Sequence, residues 1–459
     1  MYCSGSVMFN FYSITFIFII ISNLITRIYC ALIAPFTEDQ VIIFNLGAQL
    51  YKTGEFPLYG ARATGVESAT PGALQGFLVA LPFWIFGSHP WAPVVFLAIL
   101  NFIASLLIYY WYKRLFPTVH SLMLLVFILF APWSLLYVPL WNPSYLPLFF
   151  ILFFWGLLKL FDSPKSFSGS FLISFSLLCC LQLHLSVVLM GLTLAVALIF
   201  RFLTRVNFKG FITGVIAGGI GYVPFLLNYG SLQKTTHSVQ SAIAFNFERI
   251  LEFPKFFFRY LSFPTGDTLR FLGQPHGYVG SIKVFQSDPY LLIFLVPGII
   301  GTVYLIWVGL KYFFLKEFWK SIHFPKKTKL DKFHVISLLL PFLSFALYFF
   351  SPRGPSAHTF WILFPLSFFP VLYYLTHKTV LLKKLTAFKV VVFVVYVFSS
   401  VFYSVVGHRI NTTEGFWDAY IQASQFEQPI NSSFGVRSIH QFIHENNNKE
   451  IKISNFSPL

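Results

Sequence analysis

Acidic residues are scarce in this chain, 16 in 459, and two of them stand side by side. Glu38 and Asp39 occur in Pro35-Phe36-Thr37-Glu38-Asp39-Gln40. A carboxylate held near a hydroxyl can act as its general base. The pair also has a plainer use, because Thr37 can cap the helix that follows and acids in a first turn suit the helix dipole. Three further stretches carry polar groups. Trp141-Asn142-Pro143-Ser144-Tyr145 offers the Asn142 amide, although Pro, Asn and Ser would make a turn in any case. Gln182-Leu183-His184-Leu185-Ser186 offers the His184 imidazole, and a lone histidine between apolar helices is commonly a hydrogen-bonded structural group. Ser351-Pro352-Arg353-Gly354-Pro355-Ser356-Ala357-His358 offers a guanidinium and a second imidazole, His358. Arg353 presents a planar fork that matches phosphate oxygens, or it snorkels at a helix end.

Two other arginines are weaker phosphate candidates. One is Arg62. The other is Arg259, set among Phe256, Phe257, Phe258, Tyr260 and Phe263 in the run 253–264, whose aromatic character suits a membrane interface. Together these groups could activate a hydroxyl and hold a phosphate. The chain has no nucleotide-binding Gly-rich loop, no Ser-His-Asp order and no H-E-x-x-H. Its four cysteines, Cys3, Cys30, Cys179 and Cys180, lack metal-ligand spacing and read as buried thiols.

The elements that must position these residues are hydrophobic. The chain is 56% hydrophobic and 10% charged, with mean hydropathy +0.71. Soluble domains carry about 25% charged residues, so an ordinary soluble fold is excluded. Apolar stretches near the required length of about 20 residues lie at 11–33, 91–112, 119–137, 145–160, 211–227, 290–310, 333–350, 359–375 and 388–406. The run 169–200, interrupted at Gln182 and His184, could be one tilted helix or two short ones, and two crossings are taken because they keep the basic loops on one face. Residues 73–86, only 14, suit a juxtamembrane or re-entrant helix better than a crossing. Residues 40–52, with Val41, Phe44, Leu46 and Leu50 at helical spacing, read as a helix lying on the surface. The expected fold is all-α and integral to the membrane. It has about eleven transmembrane helices and juxtamembrane helices in the first external loop. Residues 1–406 form the polytopic domain and 407–459 a small external segment.

A net charge of +16 would suggest nucleic acid in a soluble protein. Here its distribution matters more, because cytoplasmic loops are enriched in Lys and Arg. The loops 113–117, 159–169, 201–209, 311–332 and 377–389 hold 18 basic and 3 acidic residues, while the opposite face holds 13 of each. The amino terminus is therefore expected inside and the carboxyl terminus outside, in a membrane of the bacterial inner (plasma) type. All four polar stretches then face outward. The first helix lacks a basic leader and a clean cleavage site, so it reads as an uncleaved anchor.

Several segments follow one another in a familiar order. The acids Glu38-Asp39 lead into a surface helix and Gly54-Glu55-Phe56-Pro57. Thr70-Pro71-Gly72-Ala73-Leu74 leads to Leu81-Pro82-Phe83-Trp84-Ile85-Phe86-Gly87. Trp141-Asn142-Pro143-Ser144, Gln182-Leu183-His184-Leu185-Ser186, Gly221-Tyr222-Val223-Pro224 and His358 ahead of Leu363-Phe364-Pro365 complete the series. From residue 11 to about 375 the chain resembles the bacterial membrane glycosyltransferases of the C-type (GT-C) superfamily, especially the protein-mannosyltransferase-like family 39 group. The resemblance implies a GT-C-like architecture, a lipid-linked sugar donor and inverting transfer on the outer face. It makes Asp39 or Glu38 the base. Many relatives carry another acid in the second external loop, which here reads Trp141-Asn142-Pro143-Ser144 without a carboxylate. No cofactor is then required, and a divalent metal is compatible with the superfamily but not indicated.

Chemistry agrees with that expectation. Transfer to a hydroxyl needs a base and charge stabilisation of the departing phosphate. Nucleotide sugars are cytosolic, so an external site needs a donor delivered through the membrane, such as a polyprenyl-phosphate sugar. Adjacent residues on a helix do not face each other, so Glu38 and Asp39 make a poor retaining pair. The expected partners are that donor, a glycan, lipid or protein acceptor, and membrane lipids, with no nucleic acid. Two alternatives are a transporter or flippase for lipid-linked saccharides, which would bury charges mid-helix, and a non-catalytic assembly protein.

Overall fold

The computed structural model describes residues 4–32, 38–62, 69–87, 89, 91–131, 140–228, 245–265, 289, 292–320, 322, 328–350 and 363–377. Helix α1 (Ser4–Leu32) turns Ile14, Phe18, Ile21 and Ile25 outward, Phe18 with 69% of its surface exposed. A row of exposed large apolar side chains is costly in water and natural against lipid. Helix α2 (Glu38–Thr53) ends at Gly54, whose φ of 73° lets its N–H return to Leu50 O at 2.9 Å. Strands β1 (Tyr59–Arg62) and β2 (Ala69–Pro71) then form an antiparallel hairpin, which the helical reading of the sequence leaves out. Helix α3 (Leu74–Phe86) has 13 residues, about 20 Å of rise, short of a hydrocarbon core of about 30 Å. It packs on α2, where Gly47 lies against Val79 and Phe44 meets Phe83 edge to face at 5.4 Å.

Helices α4 (Trp91–Leu115), α5 (Ser121–Leu129) and α6 (Leu146–Asp162) follow, α6 entered through a 3-10 turn at Asn142–Tyr145. Then come α7 (Phe167–Leu183), α8 (Val188–Ile199), α9 (Phe208–Gly219), α10 (Phe253–Ser262), α11 (Leu292–Phe314), α12 (Lys329–Leu347) and α13 (Phe369–His377). Short helical pieces occur at Val223–Leu227, Lys316–Lys320 and Phe364–Ser367. Among the described residues five helical segments are long and apolar enough to cross a membrane: Tyr12–Leu32, Trp91–Leu115, Asn142–Asp162, Phe208–Leu227 and Lys329–Phe350. Shorter apolar helices accompany them. The chain is a helical integral membrane protein.

The run 169–200 divides as its polar interruption suggests. Helix α7 stops at His184, whose φ of −162° is extended, and α8 begins four residues later. The chain reverses between them, because the backbone N–H of Asn207 reaches Ser170 Oγ at 2.8 Å, back near the start of α7. Helix α9 then climbs beside α7. Gly210, Gly214 and Gly218 recur every four residues and lie on Phe167, Phe171 and Phe175, with no room for a Cβ. Small residues at this spacing let two membrane helices approach backbone to backbone, and Ser174 Oγ donates across the seam to Phe211 O at 2.8 Å.

One end of the bundle gathers basic loops. Lys159 Nζ donates to Ser168 Oγ at 3.1 Å, Asn207 Nδ2 donates to Lys165 O at 3.1 Å, and Lys329 pairs with Asp162 at 3.3 Å. The loops 159–169 and 201–209 and the start of α12 therefore share an end, as their common charge suggests.

The aromatic run 253–264, whose composition suits a membrane interface, packs instead against protein. It forms α10, which lies along α12. Phe253 meets Phe345 at 4.9 Å, Phe257 meets Phe313 at 5.0 Å, and Tyr260 OH reaches Leu366 O at 3.4 Å. Phe256, Tyr260 and Leu261 are buried. Aromatics three and four residues apart make one apolar stripe on a helix.

Candidate functional site

Gln182 occupies the last turn of α7 and is 1% exposed. Its Nε2 donates to Gly218 O at 2.8 Å and to Leu178 O at 3.3 Å, while its Oε1 has no hydrogen-bond partner. The final carbonyls of a helix need partners from outside it, and Leu183 O accepts Asn142 Nδ2 at 3.0 Å. Glycines let three other backbone segments come in. A Cβ on Gly72 would stand 2.6 Å from Gln182 Cγ, one on Gly221 would overlap Oε1, and one on Gly60 would lie 3.3 Å from Gln182 O. Gly72 also has φ 115°, a conformation that side chains rarely adopt. The backbone N–H of Ala73 donates to Gly221 O at 2.8 Å, so the hairpin is tied to the end of α9.

Around this junction the buried polar groups are poorly satisfied. Gln75, in the first turn of α3, is 0% exposed, and neither of its amide atoms has a partner. Its Cβ lies 3.4 Å from where Gly60 would carry one. Tyr222 OH is also unpartnered, and so are Ser144 Oγ and Tyr145 OH beside Asn142. Leaving such a group buried and unpaired costs about 1–3 kcal/mol, and most buried polar groups in folded proteins are paired. Several orphans in one region mark a place that a polar ligand or water completes.

A second polar network adjoins it. Arg27 on α1 is 0% exposed. Its Nε donates to Asn23 Oδ1 at 2.7 Å, and its Nη2 donates to Ser105 Oγ and to Leu129 O, both at 2.9 Å. Asn101 on α4 donates to Ser144 O at 3.1 Å. Hydrogen bonds thus run from α1 across α4 to the Asn142 turn and on to the end of α7. The informative signal was the spacing of Asn23 with Arg27 and of Asn101 with Ser105. Each pair lies i, i+4 and so on one face of an apolar helix.

Of the residues singled out in the sequence, Asn142 and His184 meet at the junction. His184 caps α7, and its Nδ1 accepts the backbone N–H of Ser186 at 3.1 Å and lies 2.6 Å from Ser186 Oγ. An accepting Nδ1 leaves the proton of a neutral ring on Nε2. Glu38 and Asp39 open α2, with side chains outside the described residues. The Arg62 backbone ends β1, and its side chain lies outside them too. Arg353 and His358 lie wholly outside them. Arg259 belongs to α10, where its carbonyl accepts Ser262 Oγ at 3.2 Å, in the α11–α12 group of helices. The residues that sequence reasoning missed are Gln75, Arg27, Asn101 and Ser105.

Among the described residues no three His, Cys, Asp or Glu side chains gather as a metal site, and Cys30, Cys179 and Cys180 are buried and form no disulfide. The junction offers neutral amide and hydroxyl groups, which suit a ligand rich in hydroxyls rather than a bare ion. Compared with known proteins, the chain matches no family model, no curated protein and no solved structure.

Proposed function

We propose that this protein is an inverting membrane glycosyltransferase that moves a sugar from a polyprenyl-phosphate donor to an envelope acceptor. One observation carries the reading. The segments at 70–75, 142–145, 182–186 and 218–222, far apart in sequence, meet in one neutral hydrogen-bonding junction with orphaned amides. Hydroxyl groups of a saccharide would complete Gln75 and Gln182. In this reading Asp39 is the base, with Glu38 beside it, and Arg353, Arg62 or Arg259 receives the donor phosphate. His358 is a further polar contact. The chain crosses the membrane eleven times with the amino terminus cytoplasmic and the carboxyl terminus external, so chemistry takes place outside. No cofactor is required.

The test uses purified protein, two radiolabelled donors and a crude acceptor extract. The expected result is transfer from the polyprenyl-phosphate sugar and none from the nucleotide sugar. Transfer from the nucleotide sugar alone would overturn the proposal.

A second reading has its own support. Arg27, buried within the first span and bonded across α4 and α5, is the kind of intramembrane charge that marks a substrate pathway in transporters. Sealed vesicles separate the two. A transporter would move a fluorescent lipid-linked saccharide between leaflets without changing its mass.

A further inference from the structure

The end of the bundle that gathers the basic loops, opposite the junction along α7, holds an open cavity of about 490 Å³. It is lined by Lys165, Arg205, Val206, Asn207, Phe208 and Lys209. We propose that it is a binding site for the phosphate headgroup of an anionic phospholipid from the adjoining leaflet.

Three observations carry this. The first is charge without a counter-ion. Lys165, Arg205 and Lys209 form no ion pair among the described residues. Asp162, the nearest acid before them in the chain, is taken by Lys329, and no acid follows until Glu248. Three like charges on one cavity repel one another, and an anion between them removes that cost. The second is a fixed frame. Asn207 Oδ1 accepts Gly210 N at 2.9 Å, its Nδ2 donates to Lys165 O, and its N–H donates to Ser170 Oγ. The Asn207 amide is thereby committed to holding the two loops together, and the cations are left for the ligand. The third separates a lipid from free phosphate. Phe208 is 72% exposed, Val206 53% and nearby Phe167 50%. Apolar side chains beside a cationic cavity match acyl chains beside a headgroup, and small inorganic anions gain nothing from them.

This site does not depend on the transferase reading. Each cation near an anionic leaflet contributes about a fivefold gain in binding. The probe is full-length protein in neutral detergent, equilibrated with phosphatidylglycerol or phosphatidylcholine and read by native mass spectrometry. Wild type is expected to retain phosphatidylglycerol over phosphatidylcholine. The Lys165→Gln, Arg205→Gln, Lys209→Gln triple variant should lose that preference by about a hundredfold. A charge-conserving triple variant, Lys165→Arg, Arg205→Lys, Lys209→Arg, should keep it, and unchanged melting of both variants shows that they fold. Equal retention of the two lipids by wild type, or full retention by the neutral variant, overturns the proposal. Displacement of the lipid by millimolar inorganic phosphate would assign the cavity to free phosphate instead.

Discussion

Gln75 is the residue whose state most needs a cause. It is buried with two orphaned amide atoms, so as a purely structural residue it is a liability. Gln75→Leu keeps the volume and removes the orphans. The expected outcome is melting unchanged or raised, with KM for the donor increased about tenfold through loss of two hydrogen bonds of about 0.5–1.5 kcal/mol each. A fall in melting temperature with unaltered KM would show that the amide serves the fold through bound water. Asp39→Asn is nearly isosteric at the first turn of α2. It should lower turnover about 100-fold or more if the carboxylate is the base, since general-base catalysis contributes 10²–10⁴. Glu38→Gln should cost less. Wild-type turnover in both variants and in their combination would remove the pair from the mechanism.

Among the elements, the α7–α9 seam decides whether the junction exists. Gln182 Nε2 reaches Gly218 O only because Gly214 and Gly218 allow the two backbones to touch. Gly214→Ala places a methyl group against Ser174 Oγ and Phe171 O. Overpacking of this kind costs about 1–3 kcal/mol. Thermal unfolding in detergent should show this as a lowered melting temperature, with loss of activity. Gly191 on α8 supplies the control, since an added Cβ there meets nothing within 4 Å. Gly191→Ala should be neutral or stabilising by up to about 1 kcal/mol from helix propensity alone. Equal behaviour of the two variants would mean that close approach at the seam is not limiting.

For the molecule as a whole, the question is which end faces which compartment. Lys165 lies at the basic end, and Leu185, 47% exposed, lies just beyond the far end of α7. Single cysteines at these positions, in a chain whose four native cysteines are replaced by serine, report sidedness to an impermeant thiol reagent. In intact cells position 185 should label and position 165 should stay protected until the membrane is permeabilised. This follows from the asymmetry of Lys and Arg between the loops. The reverse pattern would turn the protein over and place the junction in the cytoplasm, where nucleotide sugars become available donors.

The membrane class, the helical character and the break at His184 were legible in the sequence, because each depends on local composition and short-range pattern. Few charges and long apolar runs permit no ordinary soluble fold, and α7 ends at His184, beside the polar interruption that the sequence shows. The grouping of the loops 159–169 and 201–209 with the start of α12 was also legible, since charge asymmetry is a property of segments rather than of contacts. The β1–β2 hairpin was not, because its strands have four and three residues and carry no measurable alternation. Nor was the inward packing of α10: an aromatic stripe is equally suited to lipid, interface and protein, and only the neighbouring faces of α11 and α12 chose among them. That the segments around Gly72, Asn142, Gln182 and Gly221 meet in one junction was decided by the tertiary structure. Asn142, Gln182 and Gly221 are ordinary turn and helix-end residues one at a time. They meet because α9 is pressed along α7 by glycines every fourth residue, which brings the loop ends together and leaves Gln75 and Gln182 buried with hydrogen bonds still to make.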